Sequence, residues 1–364
     1  MAGLYVHIPF CSAKCAYCDF YSGPMATDRN RYIRDLGHEL AMRADEPGAS
    51  TPGTIYIGGG TPSLLTEEEF GQLGGILPVH DGVREFTIEV NPDDVSPARV
   101  RAWLQAGVNR VSMGIQSMDD AELSRVGRRH TAAQAISAFN VLREAGVDNI
   151  SVDLIYGLPG QTIESWRRSV DMTLALGAEH LSAYSLSYEQ GTRLYAALQA
   201  GHITEASEDL VTDMYNYLCD RARAAGYEHY EISNFARPGK RAVHNSSYWS
   251  FAPYVGLGPG AHSFDGHVRR YNPWSIKGYM EAIEGGKTFY EIDEESDTDR
   301  INDRIMVALR TADGLDLSTL PAPVRQTLLA RASSLRGLQI TGERIIIPES
   351  DFLISDSLIR ELLI

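Results

Sequence analysis

Tyr5-Val6-His7-Ile8-Pro9-Phe10-Cys11-Ser12-Ala13-Lys14-Cys15-Ala16-Tyr17-Cys18-Asp19-Phe20 runs an apolar strand-like segment into three of the four cysteines of this 364-residue chain. Three thiolates spaced Cys-x3-Cys-x2-Cys on one loop can hold three corners of a cubane iron–sulfur cluster and leave the fourth iron without a protein ligand. An open iron can take a small molecule, so the spacing points to chemistry as well as to structure. Two other readings of the cysteines are weaker. A disulfide framework would have to recruit the distant Cys219, and a structural zinc would need His7 or Cys219 as its fourth ligand. Cys219 ends the helical-looking stretch Leu210–Cys219 and reads as a small buried apolar residue.

Composition sets outer limits. The chain is 43% hydrophobic and 22% charged, long enough for a large core plus a smaller second domain. A formal net charge of −15 disfavours nucleic acid as the main partner, because phosphate backbones are bound through a surplus of Lys and Arg. No apolar run approaches the roughly 20 residues that span a bilayer, and the cysteine motif starts too early to leave room for a cleaved leader. Clustered unpaired thiols suit a reducing compartment, so a cytoplasmic location is expected.

Working outward from the cysteine loop, short apolar runs recur at Leu4–Ile8, Thr54–Ile57, Phe86–Val90, Arg110–Ile115, Ile150–Ile155 and His180–Leu186. Amphipathic stretches near 28–43, 66–77, 96–106, 131–145 and 162–176 lie between them. Thr66 before Glu67-Glu68-Glu69, Ser96 before Pro97, and Thr162 with Glu164 close behind are helix starts; Gly107, Gly146 and Gly177 are helix stops. Alternating strand and helix predicts a parallel sheet with right-handed crossovers. Six units predict an α/β fold, an incomplete (β/α)6 barrel.

The polar residues of these strands collect at their C-terminal ends. They include Gly58-Gly59-Gly60-Thr61-Pro62 after strand two, Glu89-Val90-Asn91-Pro92 on strand three, Gln116-Ser117 on strand four, Asp153 on strand five and Tyr184 on strand six. Active sites of βα barrels form at that face. Each residue alone would serve as a turn former or a satisfied polar group, and a glycine run by itself usually makes a turn. Their shared position in successive repeats carries the reading. The glycines do not fit a dinucleotide or P-loop fingerprint.

Together these residues resemble radical S-adenosylmethionine (SAM) proteins. Along essentially the whole chain the resemblance is to the group that contains oxygen-independent coproporphyrinogen dehydrogenase and the HemW-type haem chaperones. The shared strings are Tyr5–Cys11, Gly58–Pro62 and Asp153-Leu154-Ile155-Tyr156-Gly157-Leu158-Pro159-Gly160-Gln161-Thr162. The resemblance implies that Cys11, Cys15 and Cys18 hold a [4Fe–4S] cluster whose fourth iron is chelated by SAM. It further implies that Gly59, Gly60 and Thr61 meet the methionine end of SAM. Glu89, Gln116, Arg128 and Asp153 would surround the cofactor, with Tyr5 beside the cluster and Phe20 near the adenine. Charge agrees: Glu89 can accept from the SAM amino group and Arg128 can pair with its carboxylate. Without the resemblance, Arg128 in Gly127-Arg128-Arg129-His130 would read as a solvated surface residue.

Two departures separate the chain from the dehydrogenase pattern. Phe20 stands where that enzyme has a further cysteine, and only ten residues precede Cys11. Both favour the haem-chaperone side. Downstream, His244-Asn245-Ser246-Ser247-Tyr248-Trp249 matches the His-Asn-x-x-Tyr-Trp motif of HemW-type proteins. His244 is thus a candidate haem ligand, with Tyr248 and Trp249 against the macrocycle. The competing reading makes His244 a turn or capping residue and the Tyr-Trp pair core. Arg237, Lys240 and Arg241 are candidate partners for haem propionates by charge, and His262 is a second candidate ligand.

Three segments are expected: 1–225 as the cluster-bearing barrel, 226–290 as a connecting sheet and loop region, and 291–364 as a C-terminal winged-helix-like α+β module. Within the last, Asp293–Arg300 reads as an acidic turn, Ile301–Arg310 and 322–334 as helices, and Gly337–Pro348 as a hairpin. Its acidic balance favours a lid or docking surface over DNA binding. The expected function is a haem chaperone that binds a [4Fe–4S] cluster, SAM and haem as cargo. Apo-haem proteins would be its acceptors, membrane-bound respiratory proteins among them by family analogy, with peripheral membrane association through those partners. An electron donor would serve the cluster, and the resemblance leaves room for a homodimer. The rival expectation is a radical-SAM dehydrogenase acting on coproporphyrinogen.

Overall fold

The computed structural model describes residues 2–23 and 27–364. Its first half alternates strand and helix as the sequence predicts: β1 (Gly3–Ile8), α1 (Arg29–Met42), β2 (Thr54–Gly59), α2 (Glu67–Ile76), β3 (Glu85–Val90), α3 (Pro97–Gln105), β4 (Arg110–Gln116), α4 (Asp120–Arg125), α5 (Ala132–Glu144), β5 (Ile150–Tyr156), α6 (Ile163–Leu176) and β6 (His180–Ser185). The six strands pair in parallel and in order. Their near-continuous burial follows from helices outside and packed side chains inside. Trp103 on α3 and Trp166 on α6 are fully enclosed between helix layer and sheet.

Helix starts obey local chemistry. Thr66 and Glu69 form a reciprocal capping box at α2, and Ser96 caps α3 with Pro97 in the first turn. At α6 the partner of Thr162 is Ser165 and not Glu164, because the third helical position, where Ser165 sits, faces back to the cap.

Beyond β6 the chain forms α7 (Arg193–Gln199), α8 (Glu208–Ala224), β7 (Glu228–Glu231), β8 (Asn234–Ala236), α9 (Val243–Trp249), β9 (Tyr254–Leu257), β10 (His262–Phe264), β11 (Arg269–Tyr271), α10 (Ile276–Glu284) and β12 (Glu291–Asp293). Residues 226–290 supply strands to both free edges of the barrel. The resulting order is β12-β11-β10-β9-β1-β2-β3-β4-β5-β6-β8-β7, with β9 parallel to β1 and β8 antiparallel to β6.

A buried polar hub ties the β9 edge to α1. Glu39 accepts from the Gly258 N–H (2.9 Å), the Tyr279 hydroxyl (2.8 Å), Asn272 Nδ2 (3.0 Å) and Arg43 Nη1 (3.2 Å). Arg43 donates onward to Gly256 O and Ser263 Oγ, both at 2.8 Å. Each buried charge is therefore paired and each oxygen satisfied, as enclosure demands.

The C-terminal module comprises α11 (Asp297–Ala308), β13 (Leu315–Asp316), α12 (Ala322–Ser334), β14 (Gln339–Thr341), β15 (Arg344–Ile346) and α13 (Ser355–Leu362), with an antiparallel sheet ordered β13-β15-β14. Helices followed by a hairpin give the expected winged-helix-like outline. One expectation fails: the acidic stretch before Ile301 is not a turn throughout, since α11 starts at Asp297. Ser296 and Asp299 form a capping box there, and Asp297 and Asp299 lie in the first turn, where the helix dipole favours acids. The module docks on the β7 edge through Ile232 N–H to Arg310 O (3.1 Å) and Ala312 N–H to Tyr230 O (2.9 Å). Among the described residues no helix is long and apolar enough to cross a membrane.

Candidate functional site

The cysteine loop leaves the C-terminal end of β1 and is held on three sides. The Ala16 N–H donates to Val126 O (2.9 Å), the Leu194 N–H to Ala16 O (2.8 Å), and the Gly23 N–H to Pro9 O (2.7 Å). Cys11, Cys15 and Cys18 are free and half-exposed on it. Burial raises the Cys11 thiol above its ordinary range and pushes Cys18 up to about 11. These thiols thus stay protonated at neutral pH until a metal replaces the proton. Among the described residues no group of three or more His, Cys, Asp or Glu side chains could hold a single metal ion. A cubane does not need such convergence, because each thiolate takes a different iron.

The residues fit the implied cluster and SAM in two further ways. Arg128 reaches Cys15 Sγ with Nη1 (3.5 Å) and Asn91 Oδ1 with Nη2 (2.7 Å), while its buried Nε has no partner among the described residues. The glycine run is a close-approach site as well as a turn. A Cβ on Gly60 would lie 2.8 Å from Phe10 O and 3.0 Å from Cys11 Sγ, and Gly59, at φ 109°, would drive a Cβ to 2.6 Å from the His7 ring. Gly60→Ala is therefore expected to destabilise the chain by about 1–3 kcal/mol and to lower the iron retained after reconstitution. Unchanged iron and melting temperature would show that the loop relaxes freely.

Glu89 stands at the centre of the mouth. Its Oε1 accepts from the Tyr56 hydroxyl (2.7 Å) and its Oε2 from the Gly59 N–H (3.1 Å). Burial outweighs both hydrogen bonds and lifts its pKa to about 7, with Asp153 adding to the rise. Asp153 is raised by burial too, although Ser112 Oγ donates to it at 3.2 Å. Gln116 is one of only two non-glycine residues at positive φ (71°) among those described, at a register shift between β4 and β5. Such strain is concentrated at functional sites. Thr61 donates to Cys11 Sγ at 3.5 Å. The structure thus places Gly60, Thr61 and Arg128 against Cys11 or Cys15, bonds Glu89 to Gly59, and sets Gln116 and Asp153 on the following strands β4 and β5. Tyr56 and Ser112 join them without having been singled out beforehand. The two-residue alternation of β2 and β4 held that signal, since Tyr56 lies in register with Tyr5, and Ser112 with Glu89.

Two cavities meet here. One of about 740 Å³ is lined by Glu89, Tyr184, Asn245 and Trp249. The other, of about 500 Å³, lies between the cysteine loop and the β9–β11 extension and is lined by Phe251, His262, Phe264 and Trp274. Tyr5, Phe20 and Tyr248 line both, and Phe20 is 64% exposed.

His244 is not placed as an open ligand. It is fully buried, with Nδ1 2.8 Å from Thr54 Oγ1 and Nε2 2.8 Å from the Tyr248 hydroxyl, and its ring stacks on Tyr56 at 5.1 Å. Burial, with the Arg110 charge, lowers its pKa to about 3. Glu85 accepts from the Val243 and His244 N–H groups and so caps α9, which threads the barrel interior from its N-terminal end. His244 therefore braces α9, while Tyr248, one turn on, reaches the cavities. The proposed propionate partners are also misplaced. Arg237 donates to Ala178 O and Lys240 to Asp148 O, in the loops entering β6 and β5, while Arg241 pairs with Glu228 and Asp313. Because β8 runs antiparallel to β6, the chain after it emerges at the end of the barrel opposite the cysteines.

Residues 5–173 match the Radical SAM superfamily. The chain is 36% identical to the Heme chaperone HemW of Bacillus subtilis, covering 86% of this chain and 85% of that protein. It is 33% identical to the Heme chaperone HemW of Mycobacterium tuberculosis over 99% of this chain and 94% of that one. The solved coproporphyrinogen III oxidase (HemN) of Escherichia coli superposes with a TM-score of 0.83, covering 100% of this chain and 90% of that structure at 22% identity, a likeness of fold. With the cysteine loop, the barrel mouth and the C-terminal module all inside the aligned length, the chain belongs to the HemW family of radical SAM proteins.

Proposed function

We propose that the chain carries a [4Fe–4S] cluster on Cys11, Cys15 and Cys18, binds SAM at the barrel mouth, and holds haem for delivery to haem-requiring proteins. The observation that carries the reading is the aromatic cleft of about 500 Å³ sharing the Tyr5–Phe20–Tyr248 wall with the mouth. A site of that size suits a planar cofactor, since such sites span roughly 300–1,000 Å³. Support comes from relatives named as haem chaperones over most of the chain. Phe20 in place of the dehydrogenase cysteine further supports carriage over coproporphyrinogen oxidation.

When bound, the cluster and SAM supply one-electron reductive chemistry at the sulfonium. The chain's residues would position that pair. Glu89 accepts from the SAM amino group, Arg128 and Asn91 meet its carboxylate, Gly59 and Gly60 admit it without a clash, and Phe20 covers the open side. Protonated Glu89 must release its proton before accepting from the amino group, so SAM affinity should rise as pH passes through about 7. The ratio of wild-type to Glu89→Gln affinity is expected to grow about tenfold from pH 6 to pH 8, as read by calorimetry on cluster-loaded protein; a flat ratio would remove Glu89 from the amino-group contact.

The function is tested by titrating haem into the cluster-loaded chain and then adding an apo-haem acceptor. Transfer to the acceptor is expected. Oxidative decarboxylation of coproporphyrinogen by the same preparation would replace carriage with catalysis.

A further inference from the structure

The cleft beside the cysteine loop contains a histidine without a hydrogen-bond partner. His262, the first residue of β10, is exposed, and neither ring nitrogen is hydrogen-bonded among the described residues; its ring neighbour is Tyr271 at 6.0 Å. The other histidine lining the cleft, His7, has Nδ1 3.0 Å from the Tyr5 hydroxyl and Nε2 3.2 Å from Tyr21 O. Partial enclosure by the cleft walls and the Arg269 charge lower the pKa of His262, which leaves the imidazole neutral at neutral pH with a lone pair to give.

The walls around His262 are aromatic. Phe264 follows two residues on, on the same face of the strand, and Tyr254 is its cross-strand partner. Trp274 stacks on Tyr21 at 6.0 Å and is 66% exposed, so an indole face is left for a further ring. Phe251 is held at φ 57°, a conformation bulky residues rarely adopt, and its ring meets Phe264 edge-on at 5.5 Å. The cation in the cleft's own lining is Arg269. Its guanidinium is already matched by Glu295 and Asp303, each at 2.9 Å, so the ligand-binding character of the cleft rests on His262 and the rings.

Resting on the haem-carrying reading above, we infer that this cleft is the haem site, with His262 as the axial ligand to iron. Imidazole is an ordinary haem ligand, and the aromatic walls match the macrocycle faces. The site lies against Phe20, so cargo and cluster would share one wall.

The test is a ferric-haem titration of the full, cluster-loaded chain, followed by absorption and electron paramagnetic resonance, in wild type, His262→Ala and His267→Ala. His267, an exposed residue of the neighbouring turn, is the control. His262→Ala is expected to lose the imidazole-ligated signature and to bind haem at least about tenfold more weakly, with free imidazole restoring the signature. An unchanged signature and affinity in His262→Ala, or an equal loss in His267→Ala, would overturn the site while leaving haem carriage intact. A wild-type chain that takes up no haem would overturn the functional reading and the site with it.

Discussion

Cys15→Ser should leave the chain folded but almost free of iron. The side chain is half-exposed on a loop held by backbone hydrogen bonds at Ala16 and Gly23, so its loss opens no cavity in the core. On the proposed function, two thiolates would then have to hold a cluster with one iron left to a small molecule, and a serine hydroxyl is a far poorer ligand for iron than a thiolate. Cluster retention should weaken at least about a hundredfold, read as iron and sulfide per chain after anaerobic reconstitution and as lost charge-transfer absorbance. The melting temperature of the metal-free chain should stay where it is. Because burial keeps Cys11 and Cys18 protonated when metal-free, loading must release protons, and retention should fall as pH is lowered. A full cluster in Cys15→Ser would mean that another residue serves as the third ligand.

Glu39→Ala should cost about 3–5 kcal/mol of stability, because it removes one of the two carboxylates paired with the buried Arg43, which keeps Glu46, and takes the acceptor from several buried donors at roughly 1–3 kcal/mol each. Those donors are the Gly258 N–H, the Tyr279 hydroxyl and Asn272 Nδ2. That is a large fraction of the 5–15 kcal/mol by which folded chains are ordinarily stable. The loss would be felt at the site. Tyr32, two turns earlier on the same face of α1, donates to His7 O at 2.7 Å, and Gly258 and Asn272 anchor the segment that carries His262. Denaturant unfolding of the metal-free chain measures the effect. Glu39→Gln, which keeps one acceptor oxygen, should lose less, and a change under about 1 kcal/mol in Glu39→Ala would show that water replaces the carboxylate.

Local chemistry made much of the fold legible. Thr66, Ser96 and Thr162 cap helices through hydrogen bonds made within four residues, so a short string of sequence contains the whole interaction. The mouth was legible for a related reason. A strand of period two that ends in polar residues, repeated through successive βα units, places those residues at one end of the barrel whatever the exact register. Asp297 was misread because acidic residues suit both a solvated turn and a helix's first turn, and only the Ser296–Asp299 pairing separates the two.

His244 and His262 divide what sequence can decide from what it cannot. By itself the sequence determined the cysteine loop, the six βα units, the position of the polar mouth and the family resemblance, all set by spacings along the chain. It could not tell which histidine is open. His244 sits in a motif yet is enclosed, because α9 threads the barrel and both ring nitrogens meet Thr54 and Tyr248, the first of them 190 residues away. His262 lies among glycines yet opens into an aromatic cleft, because β9 pairs with β1 and swings β10 beside the cysteine loop. Arg237 and Lys240 were sent to the far end of the barrel by the antiparallel direction of β8. Accessibility and charge pairing depend on contacts between segments remote in sequence, and those exist only once the sheet has closed around them.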